Sequence, residues 1–267
     1  MASYAQITDI DGNVYQAVTI GSQVWMKENL KTTKLNDGTA IPNVTDDASW
    51  FALTSPGYCW YNNDESTYKN TYGGLYNWYA LNTGKLCPTG WRAPTIIDFN
   101  SLMDFIGLSN RYSALITGGT SGFDAKLGGR RGFDGVGERT NIWSISDYPS
   151  GGYIYNLDMY KTTSSAVLYW TSKTSGLYVR CIKTTSQPNI YNFAPSSGQV
   201  GTSVSITGSE FSSVLAENIV WFGAAKATVT AATSTQLTVT VPPGSTYQPI
   251  TVTVNGLTAY SAKPFTV

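Results

Sequence analysis

Alternating apolar and polar residues dominate the last third of the chain. In residues 236–241 and 250–254, β-branched side chains recur at every second position, the pattern of a strand with one buried face. Turn-forming residues separate such runs at Pro195-Ser196-Ser197-Gly198, Pro242-Pro243-Gly244-Ser245 and Asn255-Gly256. This spacing leaves room for about seven short strands within residues 188–267 and predicts a β-sandwich.

The first part of the chain has a less regular pattern. Apolar runs at 7–10 and 14–20 flank Asp11-Gly12, which predicts a hairpin, and a third strand is expected at 24–26. From 118 to 176 the chain is rich in Gly, Tyr, Ser and Asp. This composition predicts long loops with short aromatic strands on a scaffold.

One helix is clearly indicated by its start and stop signals. Thr95 and Asp98 form a capping-box pattern after Pro94, and Gly107 is placed to end the helix. Its predicted apolar face consists of Ile97, Leu102, Phe105 and Ile106. A second helical turn is expected at 75–80.

Length and composition indicate the number of domains and exclude several classes of function. The 267 residues correspond to about two domains, and the charge becomes sparse after Gln187-Pro188, which predicts a boundary at 184–188. The 17 basic and 17 acidic residues cancel, so a nucleic-acid partner is not expected. Histidine is absent, which excludes Ser-His-Asp and Cys-His nucleophiles and His-ligated zinc.

The chain shows no membrane or export signal. No apolar run approaches the roughly 20 residues that a membrane-spanning helix needs, so membrane insertion is not expected. Residues 1–10 lack the basic start and the apolar stretch of a signal peptide.

A succession of specific motifs runs through the first 183 residues. They are Asp9-Ile10-Asp11-Gly12-Asn13-Val14-Tyr15, Gly21-Ser22-Gln23-Val24-Trp25-Met26-Lys27-Glu28-Asn29-Leu30, Cys59-Trp60-Tyr61-Asn62-Asn63-Asp64, Leu75-Tyr76-Asn77-Trp78-Tyr79-Ala80, Cys87-Pro88-Thr89-Gly90-Trp91-Arg92-Ala93-Pro94-Thr95, Gly128-Gly129-Arg130 and Val179-Arg180-Cys181. Together they resemble the Fibrobacter succinogenes major paralogous domain, which is common in Bacteroidota and related to C-type-lectin-like and formylglycine-generating-enzyme-like folds. The resemblance implies an α+β, C-type-lectin-like domain over residues 1–185.

A second resemblance covers residues 188–267. The segment contains Pro188-Asn189-Ile190, Phe193-Ala194-Pro195, Ser197-Gly198, Gly201-Thr202, Val204, Ile206, Gly208 and Phe211. It is similar to an IPT/TIG domain, an all-β immunoglobulin-like sandwich that commonly serves as a spacer, docking surface or adhesion module. The fold class expected for the whole chain is therefore mixed.

The cysteines have two interpretations. Cys87 and Cys181 occupy motif positions that a lectin-like fold can bring together, so the resemblance implies a disulfide if the compartment is oxidising. In a protein assembled in the cytosol, both would instead remain buried thiols. Cys59, between Tyr58 and Trp60, is expected in the core.

Aromatic residues fall into two groups by their neighbours. Trp25, Trp50, Trp60, Trp78 and Trp91 lie in apolar motif segments and are expected in the core. A second group lies among Gly, Ser, Asn and Asp, as in a recognition surface: Trp143, Tyr148, Tyr153, Tyr155, Tyr160 and Tyr169. These are the candidate ligand-binding residues, with Arg130 and Arg131 as carboxylate-binding partners. In the alternative, the tyrosines line loosely packed strands and the arginines pair with nearby acids.

Oxygen-donor segments and scattered acids do not indicate a metal site or catalysis. Asp9-Ile10-Asp11-Gly12-Asn13 lacks the spacing of an EF-hand, and Asn62-Asn63-Asp64 lacks the accompanying calcium loops of C-type lectins, so both are interpreted as turns. No metal, cofactor or catalytic residue is predicted. The acids of the loop-rich half, Asp134, Glu138, Asp147 and Asp158, lack a motif that would fix two of them as a glycosidase pair.

The sequence thus favours a non-enzymatic display or adhesion protein whose lectin-like head binds a glycan or another cell-surface ligand. With no signal peptide, the main hypothesis is a phage virion exterior, where the chain is a capsid decoration or tail appendage that contacts capsid or tail proteins and can be a homo-oligomer. The alternative is an exported Bacteroidota cell-surface adhesin or lipoprotein. A carbohydrate-active enzyme is the third hypothesis.

Overall fold

The computed structural model describes residues 6–132, 134–184, 187–254 and 256–267, with Asp134 described by its backbone alone. The chain divides into two compact units, residues 1–184 and residues 185–267. Asn255, part of one predicted turn, lies outside the described residues. Among the described residues, the helices are too short or too polar to cross a membrane.

The first unit mixes short helices with strands. Its α-helices are α1 (Asp47–Phe51), α2 (Glu65–Tyr72), α3 (Trp78–Asn82), α4 (Ile96–Ile106) and α5 (Arg111–Leu115), with 3-10 turns at Tyr61–Asn63 and Leu108–Asn110. Its strands are β1 (Ile7–Thr8), β2 (Val14–Tyr15), β3 (Ala17–Ile20), β4 (Gln23–Met26), β5 (Tyr58–Cys59), β6 (Leu75–Tyr76), β7 (Trp91–Arg92), β8 (Gly128–Arg130), β9 (Asp134–Val136), β10 (Arg139–Asp147), β11 (Tyr153–Tyr160), β12 (Ser165–Ser172) and β13 (Ile182–Lys183).

Two sheets form the framework of this unit. One has the order β12-β11-β10-β8-β9, and the other has the order β3-β4-β13-β7. Helix α4 supplies Phe99, Leu102 and Met103 to the core that these sheets share, where they meet Trp25 of β4 and Leu157 of β11. A further core contains Trp143 and Ile154 on the opposite face of the first sheet.

The structure confirms α4 but corrects its apolar face. Thr95 and Asp98 form the predicted capping box, and Gly107 follows the last residue of the helix. Ile97 and Phe105, however, are 71% and 66% exposed. The residues that face the core, Phe99, Leu102, Met103 and Ile106, follow the spacing i, i+3, i+4 and i+7 of a single helical face.

The prediction of long loops between 118 and 176 is wrong, because this region forms the largest sheet of the first unit. Strands β10, β11 and β12 contain nine, eight and eight residues. Both faces of β10 and β11 are covered, so buried residues follow one another along each strand. The period of two that marks a half-exposed strand is therefore missing from the sequence.

The predicted hairpin at Asp11-Gly12 forms, but its second arm is divided. Strand β2 pairs with β1, whereas β3 turns away to pair with β4, which is the predicted third strand. The helical turn expected at 75–80 begins later than predicted, since residues 75–76 form β6 and Asn77 caps α3.

The second unit is the predicted sandwich. Its strands are β14 (Asn189–Ala194), β15 (Ser203–Ser209), β16 (Ile219–Phe222), β17 (Ala225–Lys226), β18 (Thr228–Ala232), β19 (Gln236–Thr240), β20 (Pro249–Val254) and β21 (Leu257–Pro264), with a 3-10 turn at Leu215–Glu217. They form the sheets β14-β15-β19-β18 and β17-β16-β20-β21. Alternate residues such as Leu237, Val239, Ile250 and Val252 fill the core between them, as the period of two predicts.

Candidate functional site

Five aromatic side chains gather at one end of the β10–β11–β12 sheet. We call Tyr148, Tyr153, Tyr155, Tyr169 and Trp170 the aromatic patch. The ring of Trp170 lies 4.7 Å from Tyr153, 5.2 Å from Tyr148 and 5.3 Å from Tyr169, measured between centroids. Tyr148 also meets Tyr155 edge-on at 5.2 Å. The contacts join four predicted ligand-binding residues into one cluster around Trp170.

The strand register explains why Tyr153, Tyr155 and Trp170 meet, whereas Tyr169 projects on the other face and reaches Trp170 at the open edge of β12. Tyr155 of β11 lies directly opposite Trp170 of β12, and Tyr153 lies opposite Ser172. Directly opposed residues of antiparallel strands project on the same face of the sheet. Tyr148 joins them because a tight turn reverses the chain, in which the Tyr148 N–H donates to the Tyr153 carbonyl at 2.9 Å. Gly151 and Gly152 allow this turn, since both have positive φ angles of 73° and 74°.

The side chains of the aromatic patch are accessible to solvent and are also packed against one another. Tyr169 and Tyr153 are 52% and 41% exposed, while Tyr148, Tyr155 and Trp170 are half-buried. Strand β12 is the edge strand of its sheet, so its side chains are open on one flank. Such a surface offers planar apolar faces together with phenol groups that form hydrogen bonds.

A charged pair borders the patch next to Tyr148. The Lys173 Nζ lies 3.6 Å from an Asp147 carboxylate oxygen. The same ammonium group sits over the Trp78 ring, 4.3 Å from its centroid. Lys173 thus fixes one border of the patch through both an ion pair and a cation–π contact.

A row of buried polar side chains, which we call the polar ladder, runs along β10 and β11 on the face of the sheet opposite to Tyr155 and Trp170. Arg139 donates from Nε to Asn141 Oδ1 and from Nη2 to Asp158 Oδ2, both at 3.1 Å. Asn141 Nδ2 donates to Asn156 Oδ1 at 2.9 Å. Burial raises the pKa of Asp158, while the charge of Arg139 opposes that shift. Asn156 lies opposite Tyr169 in the register, so the ladder shares one face of the sheet with Tyr169, while Tyr155 and Trp170 project on the other face.

Two ladder atoms have no hydrogen-bond partner within the described residues. They are the Asn156 Nδ2 donor and the Asp158 Oδ1 acceptor. Asn156 is 1% exposed and Asp158 is 6% exposed. Buried polar groups are normally hydrogen-bonded, so an unpaired donor and an unpaired acceptor on two buried side chains of β11 are unusual.

Trp143 does not belong to the exposed surface, contrary to the sequence expectation. It is fully buried, and its indole N–H donates to the Tyr76 carbonyl at 2.8 Å. Its register partner Asn156 is also buried, so the row Trp143–Asn156–Tyr169 runs from the core outward to solvent. The neighbouring Ser and Asn residues suggested exposure, but they are themselves buried.

Arg131 is buried in the first unit and forms an ion pair, as the alternative interpretation of the arginines predicted. It is 6% exposed, pairs with Asp47 at 2.7 Å and stacks over Trp50 at 4.5 Å. Arg130 is half-buried on β8 and close enough to Asp158 to favour its ionised form. Tyr160 is half-buried beneath the guanidinium of Arg139, 4.3 Å from its carbon, and lies at the far end of β11 from Tyr153.

Cys87 and Cys181 form a disulfide. Cys59 is a buried free thiol, as its apolar neighbours predicted. Burial raises the pKa of the Cys59 thiol to about 11.

In the two oxygen-rich segments, the Asp9 and Asp64 carboxylates accept hydrogen bonds within a turn and at a helix N-terminus. Asp9 accepts from the backbone N–H groups of Asp11 and Asn13 and from the Tyr15 hydroxyl. Asp64 caps α2 by accepting from the Thr67 N–H. Within the described part of the chain, no three His, Cys, Asp or Glu side chains converge as a metal site would require.

The scattered acids are likewise engaged in local contacts. Glu138 lies 3.6 Å from Lys161, Asp147 pairs with Lys173, and Asp158 pairs with Arg139. The side chain of Asp134 lies outside the described residues.

Sequence reasoning missed Trp170 and Arg139. The period-two series Ala166, Leu168, Trp170 on β12 is the signal that places Trp170 on the same face as Tyr155. Arg139 gave no such signal, because its charged partner Asp158 and the ring of Tyr160 come from a neighbouring strand whose register is set by the fold.

Two family models match the chain. One, described as the Fibrobacter succinogenes major domain, matches residues 18–183. The other, the IPT/TIG domain, matches residues 188–267. No curated protein matches the chain.

Several solved structures are partly similar. An auxiliary nutrient binding protein from Bacteroides thetaiotaomicron is 22% identical with a TM-score of 0.29, over 30% of this chain and 21% of that one. A putative phosphatase from the same species is 26% identical with a TM-score of 0.30, over 30% and 18%. SGBP-B from a xyloglucan utilization locus in Bacteroides uniformis is 16% identical with a TM-score of 0.26, over 43% and 30%. The chain spans about a fifth of the length of the first two, and TM-scores this low carry no functional information.

Proposed function

The chain belongs to the Fibrobacter succinogenes major domain family, and we propose that it is a non-enzymatic binding protein that recognises a glycan at a bacterial cell surface. The single observation that carries the proposal is the aromatic patch. Its two exposed tyrosines are braced by Trp170, so their rings are ordered before a ligand arrives. Ordered aromatic faces suit the apolar faces of sugar rings and lose little conformational entropy on binding.

The bacterial surface, rather than the virion, is proposed as the site of display because of the Cys87–Cys181 disulfide. Disulfides persist outside the cytosol and are rare within it. The virion hypothesis places assembly in the cytosol, where both cysteines would remain thiols. The C-type-lectin-like character of the first unit is part of the proposal and supplies the precedent for a sugar-binding head.

The binding test compares the wild-type chain with Tyr153→Ala/Tyr169→Ala on a panel of neutral bacterial and plant polysaccharides. We expect the double variant to lose at least about tenfold in affinity, since truncation of central aromatic contacts is costly at binding surfaces. Tyr247→Ala is the matched control because Tyr247 is 68% exposed and lies in the second unit. Equal affinity of all three proteins for every glycan bound would overturn the proposal.

Fold integrity is checked in the same experiment. Because Tyr153 and Tyr169 are 41% and 52% exposed and lie at the surface, the thermal midpoint of the double variant is expected within a few degrees of wild type. Turnover of any glycan that disappears in Glu138→Gln would favour the enzyme hypothesis instead.

Display is tested in cells that produce the protein. We expect the chain to fractionate with the cell envelope and to be cleaved when intact cells are treated with protease. Co-migration with phage particles on a density gradient would contradict the proposed location.

A further inference from the structure

A pocket in the first unit shares no lining residue with the aromatic patch. Its volume is about 200 Å³, and its walls come from the segment after β4, the end of α2 and the loop between α5 and β8. Five basic and two acidic residues line it: Lys27, Lys31, Lys69, Lys126 and Arg180 against Glu28 and Asp124. An excess of three positive charges is notable in a chain whose formal net charge is zero.

Arg180 forms the floor of this pocket and is 1% exposed. Its Nε and Nη2 donate to Asn29 Oδ1 at 3.1 and 3.0 Å, and its Nη1 donates to the Phe123 carbonyl. No Asp or Glu among the described residues forms an ion pair with it. Burial lowers the pKa of the guanidinium to about 9, which leaves the group charged at neutral pH.

A buried cation without a carboxylate in direct contact is costly, because its lost hydration is only partly replaced. The charges of Glu28 and Asp124 favour the protonated guanidinium from nearby, but neither carboxylate pairs with it among the described residues. The structure nevertheless holds this cation in place. Asn29 accepts both Arg180 bonds and donates from Nδ2 to the Tyr72 carbonyl at 2.8 Å, which links the guanidinium to the end of α2. Gly73 closes this junction, where a Cβ atom would lie 2.6 Å from the Leu30 carbonyl oxygen.

The four lysines around the pocket are not equivalent. Lys27 pairs with Asp124 at 2.9 Å and Lys69 pairs with Glu65 at 2.6 Å. The Lys31 ammonium group donates to Asn70 Oδ1 at 3.4 Å, and Lys126 is exposed. Neither Lys31 nor Lys126 forms an ion pair within the described ranges, so these two ammonium groups are available to an incoming anion.

We propose that this pocket binds an oxyanion, a carboxylate or phosphate group carried by a ligand. Lys31 and Lys126 contact the anion, and Arg180 supplies a fixed positive potential from below. The pocket is smaller than the roughly 300–1,000 Å³ of sites that enclose a drug-sized ligand. It therefore accommodates the charged group, or the single sugar ring that carries it, while the rest of the ligand remains outside.

The test measures binding of three probes to the full chain by calorimetry: sodium glucuronate, inorganic phosphate and glucose. We expect one of the two anions to bind and the affinity to fall as salt rises, because exposed charge interactions are screened. Binding of glucuronate alone identifies a carboxylate ligand, and binding of phosphate alone identifies a phosphorylated one. Glucose is the neutral match to glucuronate and is expected to bind at least about tenfold more weakly.

Variants assign the binding to the pocket. Lys31→Gln/Lys126→Gln is expected to weaken anion binding about tenfold. Lys126 is exposed, and Lys31 is half-buried with its ammonium group at the surface, so the fold is retained. Lys226→Gln/Lys263→Gln is the matched control, because it removes two exposed lysines from the second unit. The proposal is overturned if neither anion binds, or if the pocket variant binds as tightly as the control.

This inference is independent of the proposed glycan site. The Tyr153→Ala/Tyr169→Ala protein is expected to bind the anion as wild type does, and the pocket variant is expected to retain binding of neutral glycans. Loss of both activities in either variant would contradict the separation of the two sites.

Discussion

Asp98 is held in its ionised form by donors on every side of its carboxylate. Thr95 donates from its backbone N–H and its hydroxyl, and Arg92 donates from two guanidinium nitrogens at 2.6 and 2.8 Å. Burial alone would raise the pKa of Asp98, but the hydrogen bonds from Arg92 and Thr95 outweigh it and leave the pKa below its ordinary value. This side chain therefore stabilises the fold only while it is charged.

The stability of the first unit should consequently depend on pH through Asp98. A lowered pKa in the folded state gives stability that is present above the unfolded value of about 3.9 and is lost as pH falls through the folded value. We expect Asp98→Asn to reduce the free energy of unfolding by about 1–3 kcal/mol at pH 7. The difference from wild type should shrink below about pH 4, as measured by urea unfolding.

Asp104→Asn is the control for that measurement. Asp104 is on the same helix, but its side chain is 78% exposed and its contact with Arg111 is 3.7 Å long. Its substitution should change stability by less than about 0.5 kcal/mol. A deficit of Asp98→Asn that persists unchanged at pH 2 would contradict the assigned role.

The Cys59 thiol should be unreactive in the folded protein. The thiolate is the reactive form, and burial both raises the pKa of Cys59 to about 11 and blocks access. We expect no maleimide labelling of native protein, one label after denaturation and three after denaturation with reduction, as counted by mass spectrometry. Rapid labelling of the native chain would place Cys59 at the surface instead.

Among the structural elements, the β10–β11 hairpin determines the shape of the aromatic patch. Its strands are interrupted by a register shift between Trp143 and Asp147, which carries the end of β10 to the turn that holds Tyr148. Ile145 and Ser146 in this stretch contact Pro94 and Ile96 near the start of α4. The tip of the hairpin is therefore attached on one side to the start of α4. Its other side, which bears the aromatic patch, is open to solvent.

Gly151→Ala tests the turn at this tip. Gly151 has a φ of 73°, and a Cβ atom there would meet nothing within 4 Å, so the substitution adds backbone strain without a clash. We expect a loss of about 1–2 kcal/mol of local stability, seen as faster hydrogen exchange of the Tyr148 N–H. Ser150→Ala in the same turn is the control, and exchange that is equal in the two variants would show that positive φ is not required.

Local signals in the sequence were sufficient for α4, for the turn at Asp11-Gly12 and for the strands of the second unit. Each depends on residues within a few positions of one another. The same signals could not place Trp143, because the strand register that directs it inward is fixed by Asn156 and Leu157 on another strand. They also could not reveal the Arg180 pocket, whose lining comes from segments up to 153 positions apart, from Lys27 to Arg180.

At the scale of the whole molecule, the disulfide joins two cysteines of the first unit, so its effect on stability is confined to that unit. Cys87 and Cys181 are 94 positions apart and lie near β7 and β13, which pair with each other. A crosslink over so long a loop restricts the unfolded chain strongly. The core of the second unit is built from its own strands, β14–β21.

We therefore expect Cys87→Ser/Cys181→Ser to cost about 2–5 kcal/mol of stability. Hydrogen exchange read peptide by peptide should show the loss in β7, β13 and their neighbours. Protection that is unchanged in the first unit would mean that its cores, rather than the crosslink, determine its stability.

The half-buried position of Trp170 also gives the molecule an optical reporter. Indole emission moves to shorter wavelengths when water leaves the ring, and Trp25, Trp50, Trp60 and Trp143 are already shielded at 1% exposure or less. A sugar that covers the patch would thus alter mainly the emission of Trp170, and Trp170→Phe would remove that change. Occupancy of this surface can accordingly be followed in dilute solution without attaching a dye.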